Sequence, residues 1–442
     1  MFKYLPHTEE DIKEMLEVIG VDNIEDLFSE IPTELMGQDL NVPFSHSELE
    51  LQRRFQDLAD KNTTLIPFVG AGAYDHYTPS VIRHIIERQE FLTAYTPYQP
   101  EISQGTLQYI FEYQSHICEL TGMDVSNASM YDGATATAEA MFMAIGAKKR
   151  SKILVSKTVN PNIIEVLKTY AKFRNITIDY VDSLNGETSI DDLKSKNSKE
   201  YAGIIVQSPN FYGIIENYEG YREILDETKS LFIMNSDIST LSVLKTPKEY
   251  GVDIAIGDAQ ALGIPLGYGG PYIGYLATTT KLMRKMPGRI CGVTKDTEGK
   301  RAFVLTLQAR EQHIRREKAN SNICSNQSLL ALFVTVYLSV MGKKGLKEAQ
   351  MNSFNATHYL YEQVTKLDGF EAVFNKEFFK DCVIKTTKNV DKLNDLLFDN
   401  GILGPLDLSR FDKNMVNHLL FSATEKRTKK EIDLLVSVLE VA

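Results

Sequence analysis

The sequence predicts an α/β protein whose large domain is built on a mostly parallel, doubly wound sheet. Between about residues 65 and 310, short apolar runs alternate with segments of helical spacing, which is the pattern of strands joined by covering helices. From about residue 320 the pattern changes to long helices and two short strands, which predicts a smaller C-terminal α+β domain. A chain of 442 residues is long enough to form two or more hydrophobic cores.

Three parts of the chain follow from these changes in pattern. They are an N-terminal helical arm over residues 1–65, a large α/β domain over 66–318 and a small C-terminal α+β domain over 319–442. The arm contains three amphipathic helical segments with cap signals, at 8–20, 24–31 and 47–62. Because these helices have little core of their own, we expect the arm to pack on a larger body or on a partner subunit.

The large domain shows its strands as apolar runs between helical segments. Strands are predicted at 152–156, 176–181, 203–207 and 231–234, and helices at 160–174 and 218–230. The loop 209–213 and Asp237 come directly after two of these strands. Because ligands of such sheets bind beyond the carboxyl ends of the strands, we expect this loop and Asp237 at a ligand site.

The small domain is predicted from a second set of elements. They are helices at 325–341 and 352–366, strands at 382–385 and 419–422, and a terminal helix whose capping box runs from Thr428 to Glu431.

Composition and charge narrow the function classes. The net charge of -11 and the pI near 5.4 argue against a nucleic-acid binder, which usually carries a basic surface. The four cysteines, Cys118, Cys291, Cys324 and Cys382, are far apart without a CxxC pair, so we expect buried thiols rather than a zinc site. The histidines show no HExxH spacing, and we assign no metal. No apolar run approaches the roughly 20 residues of a membrane span, and the N-terminus lacks the apolar core of a signal peptide, so we expect a cytoplasmic location and no membrane partner.

Two small-residue stretches could contact an anion. The glycine-rich run 267–274 lacks a P-loop or a GxGxxG pattern, so a tight turn into a strand explains it at least as well as a nucleotide site. The run 131–140 places small residues at the start of an Ala-rich helix, where free N–H groups bind phosphate well. A close-packed buried helix explains the second run equally well.

Two further stretches are rich in polar and charged side chains. The segment 95–105 combines two prolines, two tyrosines, two glutamines and a carboxylate, which suits either a rigid ligand wall or an ordered surface loop. The segment 310–318 is dense in charge and predicts a helix in which Glu311 and Arg315 pair. It is either a solvated helix face or a site where arginines bind a carboxylate or phosphate.

Together, four stretches resemble one family of enzymes. Residues 68–79, 95–104, 127–140 and 308–318 resemble the glycine decarboxylase P-protein, in the split form in which two related chains pair. The chain is similar to the alpha chain, subunit 1, over nearly its whole length. The resemblance implies the aspartate-aminotransferase-like fold, fold type I of the pyridoxal-phosphate (PLP) transferases, with a large doubly wound domain and a small C-terminal domain.

This family holds PLP on a lysine that the present chain lacks. The lysine-bearing partner has a His-Lys-Thr-type turn before a Gly-Gly-Pro turn, and counting back from Gly269-Gly270-Pro271 places Gln260 at that position, to within one residue. No lysine lies between Lys248 and Lys281. A glutamine amide cannot form a Schiff base or transfer protons near pH 7. The resemblance therefore implies that PLP is held by the partner chain and is not covalently bound here, and that Asp237, where such folds face the pyridine nitrogen, is vestigial.

The resemblance also implies an activity and its partners. With its partner chain, this subunit would decarboxylate glycine on PLP and pass the aminomethyl group to the lipoyl arm of H-protein. The expected assembly is α2β2, and this chain alone is expected to be inactive. The candidates for the pocket wall are Tyr95, Tyr98, Gln99, Glu101 and Arg310. Gly133, Ala134 and Thr135 are candidate cofactor contacts, vestigial or shared with the partner.

Two other functions are compatible with the same residues. One is a self-sufficient PLP enzyme that uses another lysine such as Lys245, eight residues after Asp237. The other is a non-catalytic scaffold or regulator that kept the fold and lost the site.

Overall fold

The computed structural model describes residues 4, 6–37, 41, 42, 44–319 and 321–442. Its contacts divide the chain into Met1–Thr63 and Thr64–Ala442. Parts of the predicted arm and residue 320 of the predicted small domain lie outside the described residues.

The N-terminal unit consists of short capped helices. They are α1 (Glu9–Ile19), 3-10 turns at Ile24–Phe28 and Thr33–Leu35, and α2 (Glu48–Ala59). Capping boxes begin α1 at Thr8 and α2 at Ser47, and Gly20 ends α1 with a φ of 87°, as predicted. None of the described side chains in these four segments is buried. The described part of this unit therefore has no core of its own.

The second unit contains the remaining elements. Its helices are α3 (Ser80–Ile86), α4 (Gln89–Leu92), α5 (Gln104–Thr121), α6 (Gly133–Lys148), α7 (Pro161–Lys172), α8 (Ile190–Lys196), α9 (Tyr221–Thr228), α10 (Gln312–Arg315), α11 (Ser328–Val364), α12 (Val390–Asp399) and α13 (Lys429–Glu440). Its strands are β1 (Ile66–Pro67), β2 (Val125–Ser126), β3 (Lys152–Ser156), β4 (Thr177–Val181), β5 (Ser183–Leu184), β6 (Glu187–Thr188), β7 (Tyr201–Ser208), β8 (Leu231–Ser236), β9 (Ile254–Asp258), β10 (Gly274–Thr278), β11 (Ile290–Lys295), β12 (Arg301–Thr306), β13 (Phe370–Ala372), β14 (Asp381–Thr386), β15 (Ile402–Leu403), β16 (Leu406–Asp407) and β17 (His418–Ser422).

The large sheet has seven strands in the order β2-β10-β9-β8-β7-β3-β4. The five strands from β9 to β4 are parallel, and β10 runs antiparallel to its neighbours. Successive strand residues enter different cores: Ile153 and Val155 belong to one hydrophobic cluster, whereas Leu154 belongs to another. Both faces are therefore covered, which confirms the predicted doubly wound sheet.

A second sheet of four antiparallel strands, β13-β14-β17-β16, follows in the C-terminal part. Its buried side chains, such as Ile384 and Phe421, pack in one cluster with Leu360 of α11 and Leu435 of α13. β1 pairs in parallel with β15, which joins the beginning of the second unit to this C-terminal part. The α+β character predicted for this part is confirmed.

Three predicted helices differ from the structure. The helices predicted at 325–341 and 352–366 form one run, α11, whose two parts meet at Gly342 with a φ of 57° and a ψ of -176°. The charged helix predicted over 310–318 is wrong: the segment forms the turns Gln308–Arg310 and Arg316–Lys318 with the short α10 between them. Arg316 has a φ of 55° and a ψ of -128°, which interrupts any continuous helix.

Among the described residues, α11 alone is long and apolar enough to meet the length and composition of a membrane span, contrary to the expectation from sequence. Several of its apolar side chains, such as Ala331, Val334 and Tyr337, are core residues that pack with Tyr113 and Tyr275. This burial is that of a core helix.

The thiols are free but not all buried. Cys291 and Cys382 are buried as predicted and Cys118 is partly buried, whereas Cys324 is exposed, which corrects the expectation of four buried thiols.

Candidate functional site

A cavity of about 500 Å³ lies at the carboxyl edge of the large sheet. Asp237 and the loop at Pro209 and Asn210 line it, as the strand ends predicted. Ser208 of β7 and Ser236 of β8 are register partners, and the N–H of Asp237 donates to the carbonyl of Ser208 at 3.2 Å. The aligned strand ends therefore present these groups side by side. The lining also includes residues of the segment 70–74, the start of α6, and Lys380 and Asp381 at the start of β14.

Asp237 is paired with a lysine from the C-terminal sheet. Its Oδ2 lies 2.5 Å from Nζ of Lys380, and its Oδ1 accepts hydrogen bonds from the N–H and the hydroxyl of Ser239 at 3.0 and 2.7 Å. Burial alone would raise the pKa of Asp237, but Lys380 and Ser239 hold it below its usual value. Asp237 is therefore an ionised carboxylate whose counter-charge comes from within the chain.

Lys380 is also the first member of a buried polar chain. Its Nζ lies 2.8 Å from Nε2 of His76, and Nδ1 of His76 lies 2.6 Å from Oε2 of Glu425. Burial and the charge of Lys380 lower the pKa of His76, so the ring is neutral near pH 7. The pKa of Glu425 is lowered to about 2, so its carboxylate can only accept, and the single proton of the neutral ring is on Nδ1. Nε2 of His76 is therefore the acceptor for Lys380. Lys380, His76 and Glu425 thus form one directed relay of hydrogen bonds.

Gln260, at the position predicted for the missing lysine, does not line the cavity. Its side chain is fully buried, and its Oε1 accepts from the N–H of Tyr74 at 2.8 Å. Its Nε2 donates to the carbonyls of Tyr74 and Ile264 at 2.7 and 2.6 Å. The amide is fully used in joining β9 to the segment that contains Tyr74, so its role is structural.

Carboxylates also occupy the start of α6, where phosphate contacts were predicted. The N–H of Gly133 donates to Oδ2 of Asp258 at 3.0 Å, and the N–H of Thr135 donates to Oδ1 of Asp132 at 2.8 Å. A Cβ at Gly133 would lie 2.7 Å from the backbone nitrogen of Asp258, so the glycine is required by close packing on β9. Burial raises the pKa of Asp258 to about 7. Gly133 and Ala134 line the cavity, but the amides of Gly133 and Thr135 already have carboxylate partners.

The predicted wall residues lie outside this cavity. Tyr95 and Tyr98 are 84% and 53% exposed, and Gln99 and Glu101 are exposed beside them. None of these four, nor Arg310, is among the described residues that line the cavity. The exposure of Tyr95, Tyr98, Gln99 and Glu101 leaves these four side chains free to face a partner chain.

The structure connects the two predicted wall segments through a residue that sequence reasoning missed. The guanidinium of Arg289 lies over the ring of Tyr98, 5.2 Å from its centroid, and Nη2 donates to the hydroxyl at 3.3 Å. Nε of Arg289 is also 3.9 Å from Oε2 of Glu311, which additionally approaches His313 at 3.7 Å. These contacts replace the predicted pairing of Glu311 with Arg315.

Arg310 lies beside this cluster and is poorly compensated. Its Nη1 donates to the carbonyl of Met286, whereas its Nε and Nη2 are buried without a hydrogen-bond partner among the described residues. Burial lowers the pKa of Arg310, although Glu311 opposes the shift. Two unused donors on a buried guanidinium suit a carboxylate or phosphate acceptor.

Other functional side chains gave little signal in the sequence. Lys380, His76 and Glu425 are brought together from three distant segments, and no spacing rule links them. Lys245, the alternative lysine considered above, instead pairs with Glu219 at 2.7 Å and lies over the ring of Tyr250, and it does not line the cavity.

Comparison with solved structures defines the class. A glutamate decarboxylase from Lactobacillus brevis matches with a TM-score of 0.69 at 12% identity, covering 92% of this chain and 95% of that chain. Together with the cavity at the strand ends, this similarity identifies fold type I, the fold of PLP-dependent enzymes.

Closer relatives identify the family. A crystal structure of glycine decarboxylase (P-protein) of the glycine cleavage system, in inhibitor-bound form, matches with a TM-score of 0.92 at 38% identity and covers 100% of both chains. A probable glycine dehydrogenase (decarboxylating) subunit 1 of Bacillus cytotoxicus is 51% identical over 441 residues, which cover 99% of this chain and 98% of the relative. The model of the glycine cleavage system P-protein family matches residues 2–439. This chain belongs to the glycine cleavage system P-protein family.

The cavity of this chain does not fit PLP. The side chain of Gln260 does not line the cavity, and the ammonium of Lys380 already neutralises Asp237. Asp258 and Asp132 accept from the amides of Gly133 and Thr135 at the start of α6, so a phosphate there would lie against two carboxyl groups. The described lining contains four aspartates, Asp132, Asp237, Asp258 and Asp381, and one lysine, Lys380. Such a lining disfavours an anionic cofactor.

Proposed function

We propose that this chain is the non-lysine-bearing subunit of glycine decarboxylase and that a lysine-bearing P-protein subunit 2 is its partner. PLP is held by that partner, which carries the covalent chemistry. The pair decarboxylates glycine and passes the aminomethyl group to the lipoyl arm of H-protein, and this chain is inactive alone. An α2β2 assembly in the cytoplasm is the form that we propose.

One observation carries this proposal. The family resemblance places Gln260 within one residue of the cofactor lysine, and the whole side-chain amide of Gln260 is hydrogen-bonded to the backbone of Tyr74 and Ile264. A relative at 51% identity is called subunit 1 of glycine dehydrogenase (decarboxylating), which supports a division of the enzyme between two chains. A chain that lacks the covalent anchor contributes to catalysis through residues that it presents to its partner.

The surface around Tyr98 supports such a contribution. Tyr95 and Tyr98 are exposed on a loop that contains two prolines. The guanidinium of Arg289 lies over the ring of Tyr98 and donates a hydrogen bond to its hydroxyl. Arg310 lies near the same cluster with two unused donors. We propose that Tyr95, Tyr98, Gln99, Glu101 and Arg310 form part of the wall of the partner's pocket and position glycine, cofactor or lipoyl arm.

The test is reconstitution with a lysine-bearing subunit 2. The two chains are purified separately and together, and release of carbon dioxide from glycine is measured with lipoylated H-protein. We expect a stable complex, activity in the complex alone, and no PLP fixed by borohydride to this chain. Failure to form the complex, or stoichiometric PLP fixed on this chain, would overturn the proposal.

Variants of the wall separate a catalytic contribution from assembly alone. Tyr95→Phe, Tyr98→Phe, Gln99→Ala, Glu101→Gln and Arg310→Lys are made in the complex. We expect each to lower the rate by about tenfold or more, since lost positioning contacts have effects of this size. Tyr359→Phe is the control, because the Tyr359 hydroxyl bonds Asp433 of α13 in the C-terminal part. Unchanged rates in all five variants would show that these residues do not form the wall.

A further inference from the structure

The buried ammonium of Lys380 contacts three polar side chains, although a lysine next to a strand could extend into solvent. It directly precedes β14 and is 2% exposed. Its Nζ contacts Oδ2 of Asp237 at 2.5 Å, Nε2 of His76 at 2.8 Å and Oγ of Ser239 at 3.3 Å. It also lies 3.9 Å from the centroid of the Tyr74 ring. A buried ammonium is stable only when such partners compensate its lost hydration.

These contacts join three parts of the second unit. Asp237 and Ser239 follow β8 of the large sheet, whereas Lys380 begins the central pair of the C-terminal sheet. His76 belongs to the segment between β1 and α3, and Glu425 behind it follows β17. One ammonium therefore ties the carboxyl edge of the large sheet to the C-terminal sheet.

The family resemblance implies that the carboxylate at the end of this strand is the group that faces the ring nitrogen of a bound cofactor. In this chain the cavity does not fit the cofactor, yet Asp237 is retained and ionised. We propose that Lys380 is a built-in counter-ion that replaces the cofactor's ring cation and holds the cofactor-free cavity and the two sheets together.

The directions of the hydrogen bonds distinguish a counter-ion from a reactive lysine. Asp237 and Nε2 of His76 can only accept, and the Ser239 hydroxyl donates to Oδ1 of Asp237 and so accepts from Lys380. The two hydrogen bonds, to His76 and to Ser239, require N–H donors on Nζ, and the carboxylate of Asp237 forms an ion pair with the ammonium. Attack on an aldehyde requires instead a free lone pair on nitrogen. The geometry therefore selects the ion pair over Schiff-base chemistry at Lys380.

Chemical rescue tests the proposal on the full chain, without its partner and without activity. Lys380→Ala removes the cation and leaves space near Asp237. We expect the Tm to fall, and ethylammonium chloride to restore part of the loss in a saturable manner. Tetramethylammonium chloride, which has no N–H donor, and sodium chloride should not restore it. Lys385→Ala, an exposed lysine of the same strand, is the control and should leave the Tm unchanged.

A double-mutant cycle keeps the proposal testable if Lys380→Ala does not fold. Lys380→Met and Asp237→Asn are measured singly and together by urea unfolding. We expect the double variant to be more stable than Lys380→Met, because no unpaired carboxylate then remains. Additive effects, or equal responses to ethylammonium and tetramethylammonium, would overturn the proposal.

PLP trapping provides the third arm. The wild-type chain is incubated with PLP, reduced with borohydride and mapped by peptide mass. We expect no stoichiometric label at Lys380, and such a label would identify a reactive lysine instead of a counter-ion. The stability measurements need no partner chain. They can therefore contradict the counter-ion proposal without contradicting the proposed two-chain enzyme, and reconstitution can contradict the two-chain enzyme without contradicting the counter-ion proposal.

Discussion

The side-chain amide of Gln260 forms two hydrogen bonds with the backbone of Tyr74, one to its N–H and one to its carbonyl, at 2.8 and 2.7 Å. This is the pairing that a neighbouring strand residue would provide. It holds the segment that carries Tyr74 and His76 against the end of β9. The side chain of Gln260 is therefore part of the framework of the chain.

The substitution Gln260→Lys should destabilise this chain and should not make it bind PLP covalently. In Gln260→Lys the N–H of Tyr74 loses its acceptor and a buried ammonium replaces a neutral amide whose hydrogen bonds were all satisfied. We expect the free energy of unfolding to fall by about 3 kcal/mol, measured by urea unfolding. Borohydride should still fix no PLP, because carboxylates occupy the amides of Gly133 and Thr135.

Two controls accompany this variant. Gln260→Glu keeps the acceptor for Tyr74 and loses both donors, so it separates the two halves of the interaction. Gln56→Lys lies on the exposed face of α2 and should change stability by less than about 0.5 kcal/mol. Stoichiometric PLP on Lys at position 260 would show that the cavity still accepts the cofactor.

The carboxyl group of Asp258 should make stability decline toward alkaline pH. Burial raises its pKa to about 7, so the native state binds a proton that the unfolded state releases near pH 4. This contribution is present below pH 4 and is lost as pH rises through about 7. We expect Asp258→Asn to flatten the fall in stability between pH 5 and 8, by up to about 1.4 kcal/mol for each pH unit below 7. Parallel pH profiles of wild type and variant, by urea unfolding, would contradict this, and Asp57→Asn on α2 is the control.

Glu425 should act in the opposite direction, at acid pH. Burial alone would raise its pKa, but the hydrogen bond and charge of His76 and the N–H of Tyr77 lower it to about 2. Its contribution is therefore present above the unfolded value near 4.5 and is lost as pH falls toward 2. We expect Glu425→Gln to destabilise the chain at pH 6 and to reduce the loss of stability between pH 5 and 3. Glu362→Gln, which removes an exposed partner of Lys366, should leave the slope as in wild type.

The sequence predicted elements whose signals are local. Alternating apolar runs gave the strands of the large sheet, and the cap residues Thr8, Ser47 and Thr428 marked helix starts that the structure confirms. Asp237 was found because the end of a parallel strand fixes its side of the sheet. Each of these inferences needs only neighbouring residues and one topological rule.

The remaining features depend on contacts between distant segments. No local pattern in the sequence distinguishes Lys380 from other lysines that precede a strand. Only the fold brings it into contact with Asp237 and His76. The predicted helix at 310–318 failed because Glu311 lies close to Arg289, outside its own segment, instead of pairing with Arg315. The spacing of the charged residues indicates which ion pairs a helix could form within the segment. Tertiary contacts can override this local preference, as they do here.

Gly342 should be required at the junction inside α11. Its φ of 57° and ψ of -176° lie in a backbone region that residues other than glycine rarely adopt. No atom lies within 4 Å of a Cβ built there, so Gly342→Ala adds no clash and its cost comes from the backbone alone. We expect a loss of about 1–3 kcal/mol in the free energy of unfolding. Gly146→Ala is the matched control, because Gly146 lies inside α6 with equally open space and no positive φ. That variant should gain about 0.5–1 kcal/mol, since alanine reduces the entropy of the unfolded chain. Urea unfolding of the two variants should therefore give changes of opposite sign, and a neutral Gly342→Ala would mean that α11 continues through position 342 without a break.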